Sequence, residues 1–212
     1  MSIHESTIRL LDRFVPADIR NDVTLGLDTR LRARATATML IFSLAVPVVL
    51  LFVFGALQLI TGKDFTTALI ALGVVLMVLI CEYVVFHSAC SLHFTAVAFS
   101  ITFFLTTASA TFMTGGWDSP VKQLLFCAPM ISFIIAGRQE GVYTALLVMF
   151  SGIGFYLLEA NGFHTVQIMH EENRNLVLIA MWVVTSFILI ICLSIYDAML
   201  ESLSTQLRRL GG

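Results

Sequence analysis

The chain has 212 residues, of which 58% are hydrophobic and 12% are charged, and its formal net charge at pH 7 is −2. An ordinary soluble domain carries about 25% charged residues. The composition therefore excludes a water-soluble globular protein, a nucleic-acid binder and a disordered chain. It predicts an all-α, polytopic membrane protein surrounded by a lipid bilayer.

The segment 1–34 is polar and carries six arginines. Apolar residues recur within it at roughly helical spacing, at Ile8, Leu11, Val15 and Ile19. This pattern predicts a cytoplasmic, amphipathic helix that lies on the membrane surface. A regulatory helix that packs against a partner subunit or an output domain is the alternative.

Six apolar runs follow, and each is close to the roughly 20 residues that a helix needs to cross a bilayer. The predicted spans are residues 36–60, 66–87, 94–113, 120–136, 140–159 and 176–196. Continuous runs of this length favour helices, because the strands of a membrane β-barrel would alternate in polarity. The six-helix domain is therefore expected to cover residues 35–196.

The distribution of lysine and arginine predicts the orientation of these spans. Nine of the twelve basic residues fall on the side that holds both termini, and three fall on the opposite side. Because cytoplasmic loops carry the excess of basic residues, both termini are predicted to be cytoplasmic.

Several polar residues fall near the predicted cytoplasmic end of the second span. Glu82 lies inside the span, where a carboxylate is costly and is a functional candidate, although it could also extend to water. His87, Cys90 and His93 are residue types that can ligate zinc, copper or haem iron. Polar loop residues are the commoner explanation, so no metal is predicted and these three are only candidate ligands.

The external turn between the third and fourth spans contains two adjacent glycines followed by Trp, Asp, Ser and Pro. The glycines permit unusual backbone angles, and Ser-Pro is typical of a helix start, whose positive dipole end would face the same spot. A ligand site is predicted here, and a tight helical hairpin without a ligand is the alternative. The predicted ligand-binding residues are Gly115, Gly116, Trp117, Asp118, Ser119, Pro120, and, on the third span, Thr107 and Thr111.

Apolar residues at alternating spacings of three and four run from the sixth span to the end of the chain. This pattern is typical of a coiled-coil seam and predicts a homodimer with parallel sixth helices. Residues 197–212 are predicted to begin a cytoplasmic signalling helix, and an output domain is expected beyond Gly212. A short amphipathic tail on the membrane is the alternative. The seam residues are Leu193, Tyr196, Leu200, Leu203, Leu207 and Leu210.

The pattern Gly115-Gly116-x-x-Ser119-Pro120 between the third and fourth of six spans resembles an element of RegB/PrrB-type redox-sensing histidine kinases. That element is Gly-Gly-x-x-Asn-Pro-Phe, so Ser119 replaces Asn and Val121 replaces Phe. The pattern is also similar to the Gly-Gly-x-x-Ser-Pro turn of other six-span bacterial sensor kinases and nucleotide cyclases. The resemblance implies the sensor of a two-component system in the bacterial inner (plasma) membrane, with ubiquinone as ligand. Haem b, which histidines such as His87 and His93 would ligate, is the less favoured cofactor.

No nucleophile–base pair, phosphate-binding loop or paired acid is visible in the sequence, so no catalytic residue is predicted in this segment. The kinase activity that the resemblance implies would belong to the parent protein. Two other functions remain as alternatives. One is a haem- or quinone-linked redox membrane anchor, as in membrane nucleotide cyclases, and the other is a small transporter.

Overall fold

A computed structural model describes residues 14–17, 19, 26–62, 66–88, 91–163 and 171–210. In the last helix, the side chains before residue 178 and most of those after residue 197 lie outside the described set, as does most of the amphipathic pattern predicted at residues 8–19. Every regular element in the described ranges is a helix, which confirms the predicted all-α class.

The helices follow one another with short connections. They are α1 (Leu27–Thr61), α2 (Thr66–His87), α3 (Leu92–Met113), a 3₁₀ turn (Gly116–Asp118), α4 (Lys122–Leu125), α5 (Cys127–Ile135), α6 (Arg138–Ala160) and α7 (Glu171–Leu210). The chain divides into two compact units, Met1–Phe99 and Ser100–Gly212, and the boundary falls within α3.

Four helices of the described residues are long and apolar enough to cross a membrane. They are Thr29–Ile60, Leu69–His87, Leu92–Met113 and Arg138–Ala160, and they coincide with the predicted first, second, third and fifth spans. The regions of the predicted fourth and sixth spans hold shorter apolar stretches, Lys122–Ile135 and Met181–Asp197. The membrane character is therefore supported, whereas the count of six spans stays a prediction.

In the first unit, α1 packs against α2. The predicted boundary at residue 34 falls inside α1, so the end of the polar segment and the first span form one continuous helix. Pro47 lies within α1 without ending it. The helix stops at Gly62, which adopts a left-handed conformation with φ 66° and donates its N–H to the Gln58 carbonyl at 3.0 Å. This is a common way of ending a helix, because glycine takes that conformation without a steric penalty.

The predicted fourth span is not one helix. The structure divides it at Phe126 into the four-residue α4 and the nine-residue α5. Pro129 explains the break, because proline lacks an N–H and its ring clashes with the carbonyl four residues earlier, that of Leu125. The predicted fourth span, residues 120–136, is therefore interrupted at Phe126.

A tight hairpin joins α5 to α6. Gly137 turns the chain with φ 124° and ψ −177°, and the N–H groups of Ala136 and Gly137 both donate to the Ser132 carbonyl, at 2.9 and 3.1 Å. Between the two helices, the Thr144 hydroxyl lies 3.1 Å from Ser132 Oγ, and both residues are buried. The ring of Phe133 lies directly over Gly141, so closely that a Cβ atom at this position would overlap it.

The core of the second unit lies where α3, α4, α5 and α6 meet. Its buried members are Phe104, Leu125, Ala128 and Val148, and Phe155 packs against them. This apolar cluster connects α3 to α6 through residues of α4 and α5.

The last helix, α7, has 40 residues without a break. At a rise of 1.5 Å per residue it is about 60 Å long, which is about twice the hydrocarbon thickness of a bilayer. It packs against α4 and α5, and Ile188 and Cys192 are its buried apolar residues among those described.

The predicted coiled-coil seam follows the surface of α7 over the residues whose side chains are described. Leu193, Tyr196 and Leu200 are all exposed. The side chains of Leu203, Leu207 and Leu210 lie outside the described set, although the backbone there is helical. The coiled coil itself therefore stays a prediction.

Candidate functional site

The Gly115 turn, residues 114–121, is held in shape by its two glycines. Gly115 has φ 124° and Gly116 has φ 59°, both in the region that L-residues with a side chain rarely adopt. Both residues are buried, and the 3₁₀ turn that follows places the next side chains on its outside. The conformation that the sequence predicts for these glycines is thus the one the structure adopts.

Ser119 is the internal support of this turn. Its side chain is fully buried, and its hydroxyl pairs with that of Thr114 and accepts the N–H of Val121 at 3.1 Å. These bonds join the end of α3 to the start of the next segment. Ser119, with the buried Pro120 beside it, therefore supports the turn from within.

Trp117 is the largest exposed group of the turn, with 44% of its surface accessible. The edge of its indole meets Tyr156 of α6 in a perpendicular arrangement, with the ring centroids 5.9 Å apart. The Lys122 ammonium lies 5.1 Å from the indole centroid and also donates to the Trp117 carbonyl. The turn thus presents a flat aromatic ring with a positive charge over one face, and the exposed Asp118 is adjacent in sequence.

Thr107 and Thr111 are buried on α3. Their hydroxyls bond to carbonyls of their own helix: Thr107 to Phe103 at 2.8 Å, and Thr111 to Thr107 at 2.7 Å. Ser and Thr commonly satisfy their hydroxyls in this way inside helices. Both residues therefore lie in the part of α3 that precedes the turn, and their hydroxyl groups already donate hydrogen bonds to carbonyls of that helix.

The helix that follows the turn is too short to provide the positive dipole end that the sequence predicts there. An extended fourth span would place a sizeable positive dipole end at the turn, but α4 has only four residues. The Val121 N–H is also taken by the Ser119 hydroxyl. Any affinity for a ligand at the turn therefore has to come from side chains such as Trp117 and Lys122.

Two polar groups were missed by the sequence analysis. The side-chain oxygens of Gln123 on α4 and Thr185 on α7 are buried, and neither has a hydrogen-bond partner among the described residues. A buried polar atom without a partner costs about 1–3 kcal/mol. The available signal was their position, because each is a polar residue inside an apolar run predicted to span the membrane.

His87 at the end of α2 and His93 at the start of α3 are exposed, and Cys90 lies outside the described residues. His87 stacks on Tyr83, with ring centroids 4.4 Å apart, and its Nδ1 lies 3.1 Å from the Tyr83 carbonyl. Across the described part of the chain, no group of three His, Cys, Asp or Glu residues is close enough to hold a metal. His87 thus contacts residues of its own helix.

No protein-family model, curated protein sequence or solved structure matches this chain. The resemblance of the Gly115 turn to the sensor-kinase element therefore stays an expectation. What can be said of function comes from the residues and contacts described above.

Proposed function

We propose that this chain is the membrane-embedded sensor of a bacterial signal-transduction protein, in which a membrane-soluble ligand at the Gly115 turn changes the position of α7. In this proposal the protein has six spans in the inner membrane with both termini in the cytoplasm. The quinone pool is the first ligand to test, because of the resemblance of the turn to the RegB/PrrB element.

The observation that carries the proposal is the continuity of α7. A helix of about 60 Å is twice what a bilayer core requires. The same helix packs directly against α4, the element that follows the Gly115 turn. A movement at the turn would therefore reach the far end of α7 without passing through a flexible connection.

The partners proposed for α7 are a second copy of the chain and a cytoplasmic output domain beyond Gly212, with a histidine kinase as the first choice. Leu193, Tyr196 and Leu200 lie exposed at heptad spacing on α7. Where the helix leaves the bilayer, such residues gain free energy by packing into the holes of a parallel partner helix. In a dimer, the α7 helices of the two copies would pack against each other along these residues, and α7 could move along that contact.

The aromatic surface of the turn supports the choice of ligand class. Trp117 and Tyr156 are amphipathic rings of the kind that lie at the level of the lipid head groups. A ring-shaped or amphipathic ligand at that depth could stack on the indole, with its polar part near the Lys122 ammonium.

The test is binding of decylubiquinone to the full chain in nanodiscs. Trp117→Ala is expected to weaken binding about tenfold, which corresponds to 1.4 kcal/mol, and Gly116→Val is expected to do the same by changing the turn. Trp182→Ala is the control, because Trp182 is also an exposed indole but belongs to α7 and not to the turn. Equal binding by wild type and all three variants would place the ligand elsewhere.

A further inference from the structure

We infer that Gln123 and Thr185 bind the polar head of a lipid-soluble ligand that carries a hydroxyl group. This inference rests on the proposed function for the idea that a membrane-soluble ligand acts through α7. It adds a second contact point, between α4 and α7, and a defined chemistry for the ligand.

The two residues lie on helices that contact each other. Gln123 lies on α4 and Thr185 on α7, and these helices pack against each other. Thr185 shares a face of α7 with Ile188 and Cys192, which are three and seven residues further along and are both buried. Gln123 precedes Cys127 by one helical turn, and Cys127 is buried on α5, which also packs against α7. Both polar residues therefore belong to the packing of α4 and α5 against α7.

The second feature of the two residues is their hydrogen bonding. Within the described ranges, Gln123 Oε1 and Thr185 Oγ1 are both shielded from the surface and both lack a partner. Other buried hydroxyls of this unit, those of Thr107, Thr111 and Thr144, bond to a carbonyl of their own helix. Since buried polar groups in proteins are almost always satisfied, two exceptions on contacting helices point to a group that binds there.

The group that binds there has to donate a hydrogen bond to Gln123 and can accept one from Thr185. An amide oxygen only accepts a hydrogen bond, whereas a hydroxyl can both donate and accept. Ligand hydroxyls can therefore donate to Gln123 and accept from Thr185, and so satisfy both residues. A ligand that carries only carbonyl oxygens cannot satisfy Gln123 Oε1. The site should thus prefer a quinol, or another hydroxylated lipophile, over a quinone.

The experiment compares three probes on the full chain in nanodiscs under argon: decylubiquinol, decylubiquinone and 1-decanol as a competitor. Wild type is expected to bind decylubiquinol at least tenfold more tightly than decylubiquinone. Gln123→Leu and Thr185→Val should each abolish that preference. Displacement of the quinol by 1-decanol would extend the ligand class to simple hydroxylated amphiphiles, and the lack of displacement would restrict it to quinols.

The melting temperature without ligand supplies an independent readout. If the two oxygens have no partner in the protein, Thr185→Val and Gln123→Leu should leave the melting temperature unchanged or raise it. A purely structural role would lower it. Ser194→Ala and Gln139→Leu are matched controls, because these are exposed residues whose side chains already have partners, the Ile190 carbonyl and the Tyr143 hydroxyl. The controls should keep the wild-type preference for the quinol.

The inference is overturned if wild type binds the two redox forms equally, if it binds neither hydroxylated probe, or if both variants retain the preference. Failure of the proposed site at the Gly115 turn looks different. In that case Trp117→Ala and Gly116→Val would bind like wild type, while Gln123→Leu and Thr185→Val would still lose the quinol.

Discussion

The second unit contains two turns that start with a glycine of the same φ but differ in their packing and exposure. Gly115 and Gly137 share a φ of 124°. The Gly137 turn, residues 136–141, closes through backbone bonds to Ser132 and is packed so tightly that Gly141 has no room for a Cβ. The Gly115 turn is closed partly by side chains, and it leaves Trp117 and Asp118 exposed. Glycine therefore allows two helices to pack closely at the Gly137 turn, whereas at the Gly115 turn it leaves side chains accessible.

The largest difference should appear when alanine replaces one glycine near each turn. Gly141→Ala is expected to lower the free energy of unfolding by about 1–3 kcal/mol, because its Cβ would overlap the Phe133 ring. In Gly152, the nearest atom to an added Cβ is Trp117 Cζ3 at 3.8 Å. Gly152→Ala should thus be neutral or stabilising by up to about 1 kcal/mol. Denaturation in detergent micelles measures both, and a similar loss from both variants would contradict the comparison.

The next effect concerns the glycines with positive φ. Gly137→Ala should cost about 1–3 kcal/mol, since its combination of φ and ψ is nearly restricted to glycine. An added Cβ at Gly115 would have only ordinary contacts, the nearest at 3.6 Å, but a φ of 124° strains any residue with a side chain, so Gly115→Ala should cost a similar amount. Only the Gly115 variant is expected to weaken decylubiquinone binding. A binding defect in the Gly137 variant, measured at equal folded fraction, would remove the functional distinction.

A smaller effect should distinguish the two buried serines. Ser119→Ala leaves the buried end of the Gly115 turn without the acceptor for the Val121 N–H, so it should cost about 1–2 kcal/mol. Ser132→Ala removes one bond from Thr144, which keeps its bond to the Glu140 carbonyl at 2.9 Å, and should cost below about 1 kcal/mol. Melting temperatures of the two variants test this order, and the reverse order would show that the Gly115 turn does not depend on Ser119.

The smallest stability effect is expected for exposed aromatic residues beside the turns. Tyr143→Ala should change stability by at most about 0.5 kcal/mol. Trp117→Ala should cost about 0.5–1 kcal/mol, because it also removes the ring pair with Tyr156. Their difference should appear in ligand binding, which only Trp117→Ala is expected to weaken. A marked loss of stability in Trp117→Ala would indicate that the indole supports the fold rather than a ligand.

Much of the helical layout could be predicted because long apolar runs specify helices directly. The break at Phe126 was also accessible from the sequence, since Pro129 removes the hydrogen bond to Leu125. The contacts of Phe133 with Gly141 and of Ser132 with Thr144 were not, because they depend on how two uniformly apolar helices are rotated against each other. Gln123 and Thr185 could be noticed as polar residues in apolar runs, but only the structure shows that their oxygens have no partner among the residues it describes.

The backbone of α7 is helical without a break from Glu171 to Leu210. The direction in which side chains point at one end of the helix therefore fixes the direction in which they point at the other end. Each residue added to a helix turns everything after it by about 100°, so one extra alanine after Asp197 would point the terminal leucines away from the direction set by the membrane part. An insertion of seven residues returns them to within about 20°. If α7 transmits a signal, output should fall and recover with that period as alanines are added. A flexible connection would show no such period.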